Sequence, residues 1–136
     1  MLTEQELLAM PEDDYMNEAQ AEFFATMLRS MYDEISVEVG ESKQELSRIE
    51  DNHDPLDTAS RTEMQQLELR KMERLTKLLH KIESSLRDIE KGDYGYCRES
   101  GEPIGLRRLL ARPTATLSIE AKQRQEHLEK STWDED

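Results

Sequence analysis

Cysteine and aromatic residues are scarce in this chain, and each scarcity excludes a class of protein. A single cysteine, Cys97, among 136 residues excludes an internal disulfide framework. Aromatic residues make up 5% of the chain and charged residues 36%, which favours long solvated helices over a compact sphere. No run of about 18 apolar residues occurs, so we expect no membrane span. The N-terminus lacks the pattern of a secretory signal. These features together predict a cytoplasmic protein.

The charge of the chain is strongly negative and unevenly distributed. The net charge is −13, which argues against general affinity for nucleic acid, because neutralising phosphates requires clustered Lys and Arg. Residues 1–56 carry fifteen acids against three bases, whereas residues 57–91 carry seven acids against eight bases. Any anionic ligand is therefore expected in the middle of the chain or in the basic stretch around Arg107, Arg108 and Arg112.

Two long helical patterns fill the first two thirds of the chain. The first begins after Asn17, a good helix cap, and continues past Gly40 to about residue 50. The second is expected to start at Asp54-Pro55, where Asp caps and Pro fits the first turn, and to end near Lys91. Its predicted apolar stripe comprises Met64, Leu67, Leu75, Leu78, Leu79, Ile82, Leu86 and Ile89. Two such helices joined by a short loop predict an antiparallel hairpin, each arm roughly 50 Å long.

The stretch GDYGYCRESGEPIG at residues 92–105 has the composition of a zinc knuckle. It contains four of the five glycines of the chain, and Cys97. One thiolate cannot hold a structural zinc, and a lone cysteine is most often a small buried apolar residue. The sequence contains no phosphate-binding glycine loop, nucleophile elbow or histidine cluster, so we expect no enzymatic activity.

Several segments, in order, resemble the DksA/TraR family of bacterial RNA polymerase-binding transcription factors. They are YMNEAQ at 15–20, DPLDTAS at 54–60, ELRKMERLTKLLHKIE, DYGYC at 93–97 and IGLRRLLARPTATLSIEAK at 104–122. The resemblance implies a mainly α fold with a long antiparallel coiled-coil hairpin on a small globular head. The implied regions are an acidic N-terminal part of the head at 1–16, the hairpin at 17–91 with its tip near 51–59, a degenerate zinc knuckle at 92–117, and a C-terminal helix and acidic tail at 118–136.

The four zinc positions of the family fall on Cys97, Ser100, Ser118 and Ala121. Their spacing matches the family, but a serine hydroxyl is a poor zinc ligand and alanine is none. The resemblance therefore implies the cysteine-poor branch of the family, which works without zinc. We expect no metal cofactor.

The resemblance also implies a function and its residues. Family members insert the hairpin into the secondary channel of RNA polymerase and destabilise promoter open complexes in the stringent response, which represses ribosomal RNA promoters and activates those of amino-acid biosynthesis. The tip residues that act near the polymerase active centre correspond to Asp54, Asp57 and Ala59. The effector ppGpp (guanosine tetraphosphate) binds where the factor meets the polymerase rim. The matching residues are Arg74, Lys77, Leu78, Lys81, Arg112 and Lys122.

The residues also allow plainer interpretations. Asp54 and Asp57 are typical of a helix start, and the basic face at 74–81 is typical of a solvated stripe that pairs with acidic neighbours. The expected partners are RNA polymerase and ppGpp, with no sequence-specific DNA binding, no membrane and a monomeric chain. The alternatives are a Gre-type transcript-cleavage or elongation factor and a structural coiled-coil adaptor that dimerises through its stripe. A hydrolase with paired carboxylates is disfavoured, because exposed acids lack an apolar pocket to separate their pKa values.

Overall fold

The computed structural model describes residues 2–51 and 58–134, and of residues 132–134 the backbone alone. Two long helices dominate it, as predicted, and no described helix is long and apolar enough to cross a membrane. The chain divides into two compact units, of which unit 1 comprises Met1–Leu28 and Ser85–Asp136 and unit 2 comprises Arg29–Ser84. The helices in chain order are α1 (Glu4–Ala9), α2 (Glu18–Glu50), α3 (Thr58–Lys91), α4 (Leu106–Ala111) and α5 (Ile119–Asp134), with a 3-10 turn at Glu12–Asp14.

The start of α2 confirms Asn17 as its cap. The Asn17 side-chain oxygen accepts a hydrogen bond of 2.8 Å from the backbone N–H of Gln20. The Gln20 side chain in turn accepts a bond of 2.7 Å from the N–H of Met16, so that two N–H groups at the helix start are satisfied reciprocally. Met16 has a φ of 57°, a left-handed conformation that turns the chain into the helix.

The core of unit 1 draws on both ends of the chain. Leu7 of α1 and Leu109 of α4 are both fully buried, and these two helices contact each other. The ring centroids of Phe24 and Tyr94 lie 5.6 Å apart, and both rings are buried. After the knuckle the chain forms helix α4, and the only strand-like pairing among the described residues is an isolated bridge between Tyr96 and Pro103.

Unit 2 is an antiparallel pair made of the later part of α2 and most of α3. The Tyr32 hydroxyl donates a hydrogen bond of 3.2 Å to the carboxylate of Glu83, which joins the start of one segment to the end of the other. Further along, Lys71 is close enough to help lower the pKa of Glu45, after the larger effect of its bond to Arg48. Tyr32 and Glu45 are thirteen residues apart in α2, and their partners Glu83 and Lys71 are twelve residues apart in α3. These two pairs define the register of the helices.

The predicted stripe of α3 is confirmed at one end and wrong at the other. Leu75 and Ile82 are buried, whereas Met64 and Leu67 are 45% and 63% exposed. The half-buried positions that continue the seven-residue spacing of Leu75 and Ile82 toward the start of α3 are Glu68 and Arg61. Leu67 is one residue from Glu68, about 100° around the helix, and Met64 is one residue from half-buried Gln65, so both side chains lie off the buried positions.

Candidate functional site

The knuckle after α3 closes through backbone hydrogen bonds. The N–H of Cys97 donates to the carbonyl of Glu102 at 2.8 Å, and the N–H of Gly101 donates back to the carbonyl of Cys97 at 2.8 Å. The N–H of Arg98 donates to the carbonyl of Thr116 at 2.9 Å, which joins the turn to the segment before α5. The Arg98 guanidinium also reaches the carboxylate of Asp88 at 3.2 Å. These bonds connect the turn to itself, to the segment before α5 and to α3.

The Cys97 sulfur lies inside this turn and is surrounded by hydrogen-bond donors. The residue is 2% exposed, and this burial by itself raises the pKa of the thiol. Four donors act in the opposite direction, namely the Ser100 hydroxyl and the backbone N–H groups of Ser118, Ser100 and Glu99. Together they prevail and lower the pKa of Cys97 from 9.0 to about 6. Cys97 is thus buried, as expected, and its hydrogen-bond donors favour the thiolate form near neutral pH.

The structure brings two of the other knuckle positions, Ser100 and Ser118, to Cys97. Ser100 donates its hydroxyl to the sulfur, and the Ser118 backbone N–H does the same. The Ser118 hydroxyl accepts a bond of 3.2 Å from the N–H of Ala121, so this serine caps α5. Ala121, at the fourth knuckle position of the sequence, is fully buried.

This donor set does not fit zinc. A structural zinc site takes four thiolate or imidazole ligands, and here one thiolate meets two hydroxyls and a methyl group. Within residues 2–51 and 58–134, no three His, Cys, Asp or Glu side chains are grouped so that they could hold a metal ion.

Sequence reasoning missed the contact that fixes the knuckle against the N-terminal segment. The Tyr15 hydroxyl donates to the carbonyl oxygen of Gly95 at 2.6 Å and accepts from the N–H of Gly105 at 3.0 Å. Its ring packs edge-on against Tyr96, with centroids 5.6 Å apart. A Cβ atom at Gly95 would lie 2.6 Å from the Met16 methyl carbon and 3.0 Å from the Tyr15 hydroxyl, and the φ of 89° itself favours glycine. The signal was the DYGYC motif, which identified the family but not this contact.

A basic groove lies on one face of α3 within unit 2. Its cavity is about 340 Å³. The groove brings together four of the predicted effector residues and adds two more; its lining is Arg70, Glu73, Arg74, Lys77, Leu78 and Lys81. Four cations against one carboxylate make this groove suited to an anion. Arginine can supply a bidentate fork to phosphate and lysine a point charge.

The remaining predicted residues lie elsewhere in the chain. Arg112 is exposed at the end of α4, and its N–H donates to the Arg108 carbonyl at 2.7 Å. Lys122 is half-buried in the first turn of α5, with its ammonium 3.4 Å from the Gln125 side chain. Both belong to unit 1, whereas the basic groove belongs to unit 2. Ala59 is exposed in the first turn of α3, and Asp54 and Asp57 lie outside the described residues.

Comparison with known proteins shows the family of the chain. Residues 20–89 match the model of the DnaK suppressor protein DksA, N-terminal domain, and residues 92–127 match the prokaryotic dksA/traR C4-type zinc finger. The chain is 46% identical over 120 residues to the RNA polymerase-binding transcription factor DksA of Caulobacter vibrioides, covering 88% of this chain and 84% of that protein. It is 41% identical over 121 residues to the protein of the same name from Escherichia coli, covering 88% and 80%.

A solved structure is also similar. The structure of transcription factor DksA2 from Pseudomonas aeruginosa superposes with a TM-score of 0.87 at 52% sequence identity. The match covers 94% of this chain and 99% of that one. The helical hairpin and the knuckle therefore define a factor of the DksA type. The chain belongs to the DksA/TraR family, as the resemblance implied.

Proposed function

We propose that this protein is a transcription factor that binds RNA polymerase through its secondary channel. The proposal is supported by the family, whose members from Caulobacter and Escherichia are named RNA polymerase-binding transcription factors. In this role the hairpin enters the channel, and Asp54, Asp57 and Ala59 act near the catalytic centre. The expected effect is destabilisation of promoter open complexes, with repression of ribosomal RNA promoters and activation of amino-acid biosynthesis promoters.

The basic groove carries the proposal that ppGpp is the effector. Arg74, Lys77 and Lys81 project from one helical face at spacings of three and four residues, so their charges converge. Leu78 lies among them and offers an apolar contact for a purine ring. Arg112 and Lys122 of unit 1 are proposed as further residues of the interface with ppGpp and the polymerase rim. The closing surface would come from the polymerase, because the groove itself is open.

We further propose that the factor works without zinc. The four donors to Cys97 take the place of a metal, because they neutralise the thiolate and hold the turn. The Ser118 hydroxyl caps α5, and Ala121 has only a buried methyl group, so neither position supplies a metal ligand. The protein would then suit conditions in which zinc is scarce.

Transcription in vitro from a ribosomal RNA promoter tests the function, with and without ppGpp, beside a pull-down of core RNA polymerase. We expect the wild-type protein to bind polymerase and inhibit more strongly with ppGpp. Lys77→Ala should remove most of the ppGpp response while polymerase is still bound. The matched control is Lys71→Ala, which removes the same charge from α3 outside the groove.

Equal ppGpp responses in the two lysine variants would contradict the effector site. Failure of the wild-type protein to bind polymerase would contradict the function as a whole. Asp57→Asn tests the tip separately, and unchanged inhibition by this variant would exclude its role. Stimulated cleavage of nascent RNA in stalled complexes would instead indicate a Gre-type factor, and a stable homodimer without polymerase binding would indicate a structural adaptor.

A further inference from the structure

One buried polar atom marks a change in the packing of unit 2. Ser42 is 1% exposed, and its hydroxyl is the one buried side-chain polar atom in the described part of the chain without a hydrogen-bond partner. Ile35 and Ile49, one heptad before and one after it, are buried isoleucines. The serine therefore replaces an aliphatic side chain in the seam between the helices. A buried hydroxyl without a partner destabilises the packing around it.

The seam is unequal on the two sides of Ser42. The register set by Tyr32–Glu83 and Glu45–Lys71 places Ser42 level with about residue 74 of α3. On the side nearer Tyr32, the seam contains Ile35 with Leu75 and Ile82, all buried. On the other side of Ser42, Ile49 is the one buried apolar residue among the described residues of unit 2.

The α3 residues opposite that second part are mostly polar. Seven-residue spacing from Leu75 and Met72 brings Glu68, Gln65 and Arg61 to the seam, each half-buried. The apolar residues nearby do not help, since Met64, Leu67 and Leu69 are 45%, 63% and 49% exposed. We call residues 43–51 and 58–72 the distal segment and residues 31–41 and 73–84 the proximal segment. The distal segment buries little apolar surface per residue.

Gly40 lies two residues before Ser42, in the proximal segment. It is in the interior of α2, and a Cβ atom built there would meet nothing within 4 Å. No packing requirement therefore explains the glycine, which lowers the helix propensity at this point. A weak helix position and an unsatisfied buried hydroxyl thus coincide with the change from an apolar to a polar seam.

We propose that the distal segment opens as a separate cooperative unit while the proximal segment stays paired, with Ser42 at the boundary. Local opening of this kind is expected where few apolar contacts hold a helix pair, because its free energy is then lower than that of global unfolding. The proximal segment of the hairpin would stay rigid, and the distal segment would open more readily. This inference rests on the packing of unit 2 and does not require the proposed function.

Native-state hydrogen exchange of the full-length protein, at a series of low urea concentrations, tests the proposal. Amides of the distal segment should exchange faster than those of the proximal segment, and their rates should respond less to urea, since a local opening exposes less surface than global unfolding. Equal protection and equal urea response in the two segments would overturn the proposal.

Two serine variants distinguish the effect of the buried hydroxyl on exchange from the effect of helix propensity. Ser42→Ala should slow exchange in the distal segment about tenfold, because the unsatisfied group is removed. Ser47→Ala changes an exposed serine of the same helix and should slow it only about twofold, through propensity alone. Amides of the proximal segment that exchange through global unfolding should slow by the same factor, because global unfolding exposes Ser42 as well. Equal effects of the two variants would contradict a boundary at Ser42.

Discussion

The hydroxyl of Tyr15 and the carbonyl oxygen of Gly95 lie 2.6 Å apart, although eighty residues separate them in the chain. The same hydroxyl accepts a bond from Gly105, so one side chain orders two glycine-containing turns of the knuckle. Burial of the ring raises the pKa of Tyr15 above its ordinary value, which keeps the hydroxyl protonated and able to donate. This contact therefore orders the knuckle against the N-terminal segment.

Removing the Tyr15 hydroxyl should therefore destabilise the protein. Tyr15→Phe leaves both backbone partners without a bond, at a cost of about 2 kcal/mol in the free energy of unfolding. Urea unfolding followed by circular dichroism measures the loss. Tyr32→Phe is the control, because it removes one hydroxyl bond to Glu83 at a more solvated position and should cost much less. Equal losses in the two variants would argue against the Tyr15 contact.

Gly95 should tolerate no side chain. Its φ is 89°, and an added Cβ would meet the Met16 methyl carbon at 2.6 Å and the Tyr15 hydroxyl at 3.0 Å. Gly95→Ala should cost about 3 kcal/mol, the sum of backbone strain and the clash. Gly101→Ala is the matched control, with a φ of 77° and nothing within 4 Å, and should cost only about 1 kcal/mol of strain. A Gly95→Ala protein no less stable than Gly101→Ala would refute the close packing.

The opposite effect is expected at Gly40. Its backbone is helical and its surroundings are empty, so Gly40→Ala should stabilise the protein by about 0.5–1 kcal/mol through the lower entropy of the unfolded chain. Gly92→Ala has equally empty surroundings but a φ of 82°, and should destabilise instead. Thermal unfolding of both variants shows whether each is more or less stable than the wild-type protein. A loss of stability in Gly40→Ala would show that the glycine has a role that its packing does not reveal.

Much of the fold could be predicted from the sequence because its signals are local. Asn17 caps α2 where the sequence placed the cap, and Ser118 begins α5. The apolar period of α3 was correct where Leu75 and Ile82 are buried and wrong at Met64 and Leu67. Near the start of α3 the apolar residues are exposed, and polar residues lie in the seam between the helices. Periodicity alone cannot show which row of residues faces the partner helix.

The candidate site was less accessible to sequence reasoning, because its contacts join distant residues. Four residues of the basic groove share one helix and could be grouped from their spacing. Nothing in the spacing showed that Tyr15 would bond to Gly95 or that four donors would surround Cys97. Both depend on packing between segments far apart in the chain.

Chelation should leave the protein intact. Because the four positions supply one thiolate, strong chelators should change neither the helical circular dichroism nor the inhibition of transcription. Elemental analysis of the purified protein should find no stoichiometric zinc. A zinc-binding relative with four cysteines, treated in parallel, should lose structure. Loss of helicity in this protein on chelation, with zinc released, would contradict zinc independence.

The lowered pKa of Cys97 predicts a dependence of stability on pH. The folded-state pKa is about 6 and the ordinary value is 9.0, so between these values the unfolded chain binds the extra proton. Stability from this group should therefore rise as the pH increases from 6 to 9, and should be lost as the pH falls through about 6. Urea unfolding at several pH values should show this rise in the wild-type protein and a smaller one in Cys97→Ser.

Thiolate absorbance near 240 nm provides a direct check on the same group. It should appear in the folded protein with a midpoint at about pH 6 and be absent in Cys97→Ser. A midpoint near 9 would show that burial, and not the hydrogen-bond donors, governs this thiol.

Unit 1 is built from both ends of the chain, with the whole of unit 2 between them. On the ribosome, Leu7 and Phe24 emerge early, but their buried partners Tyr94 and Leu109 are made only after the hairpin is complete. The order of synthesis therefore makes unit 1 the last part to fold. A polypeptide released before Leu109 would contain the hairpin and its basic groove but lack a finished head. Unit 1 can therefore be completed only after the chain has been synthesised past Leu109.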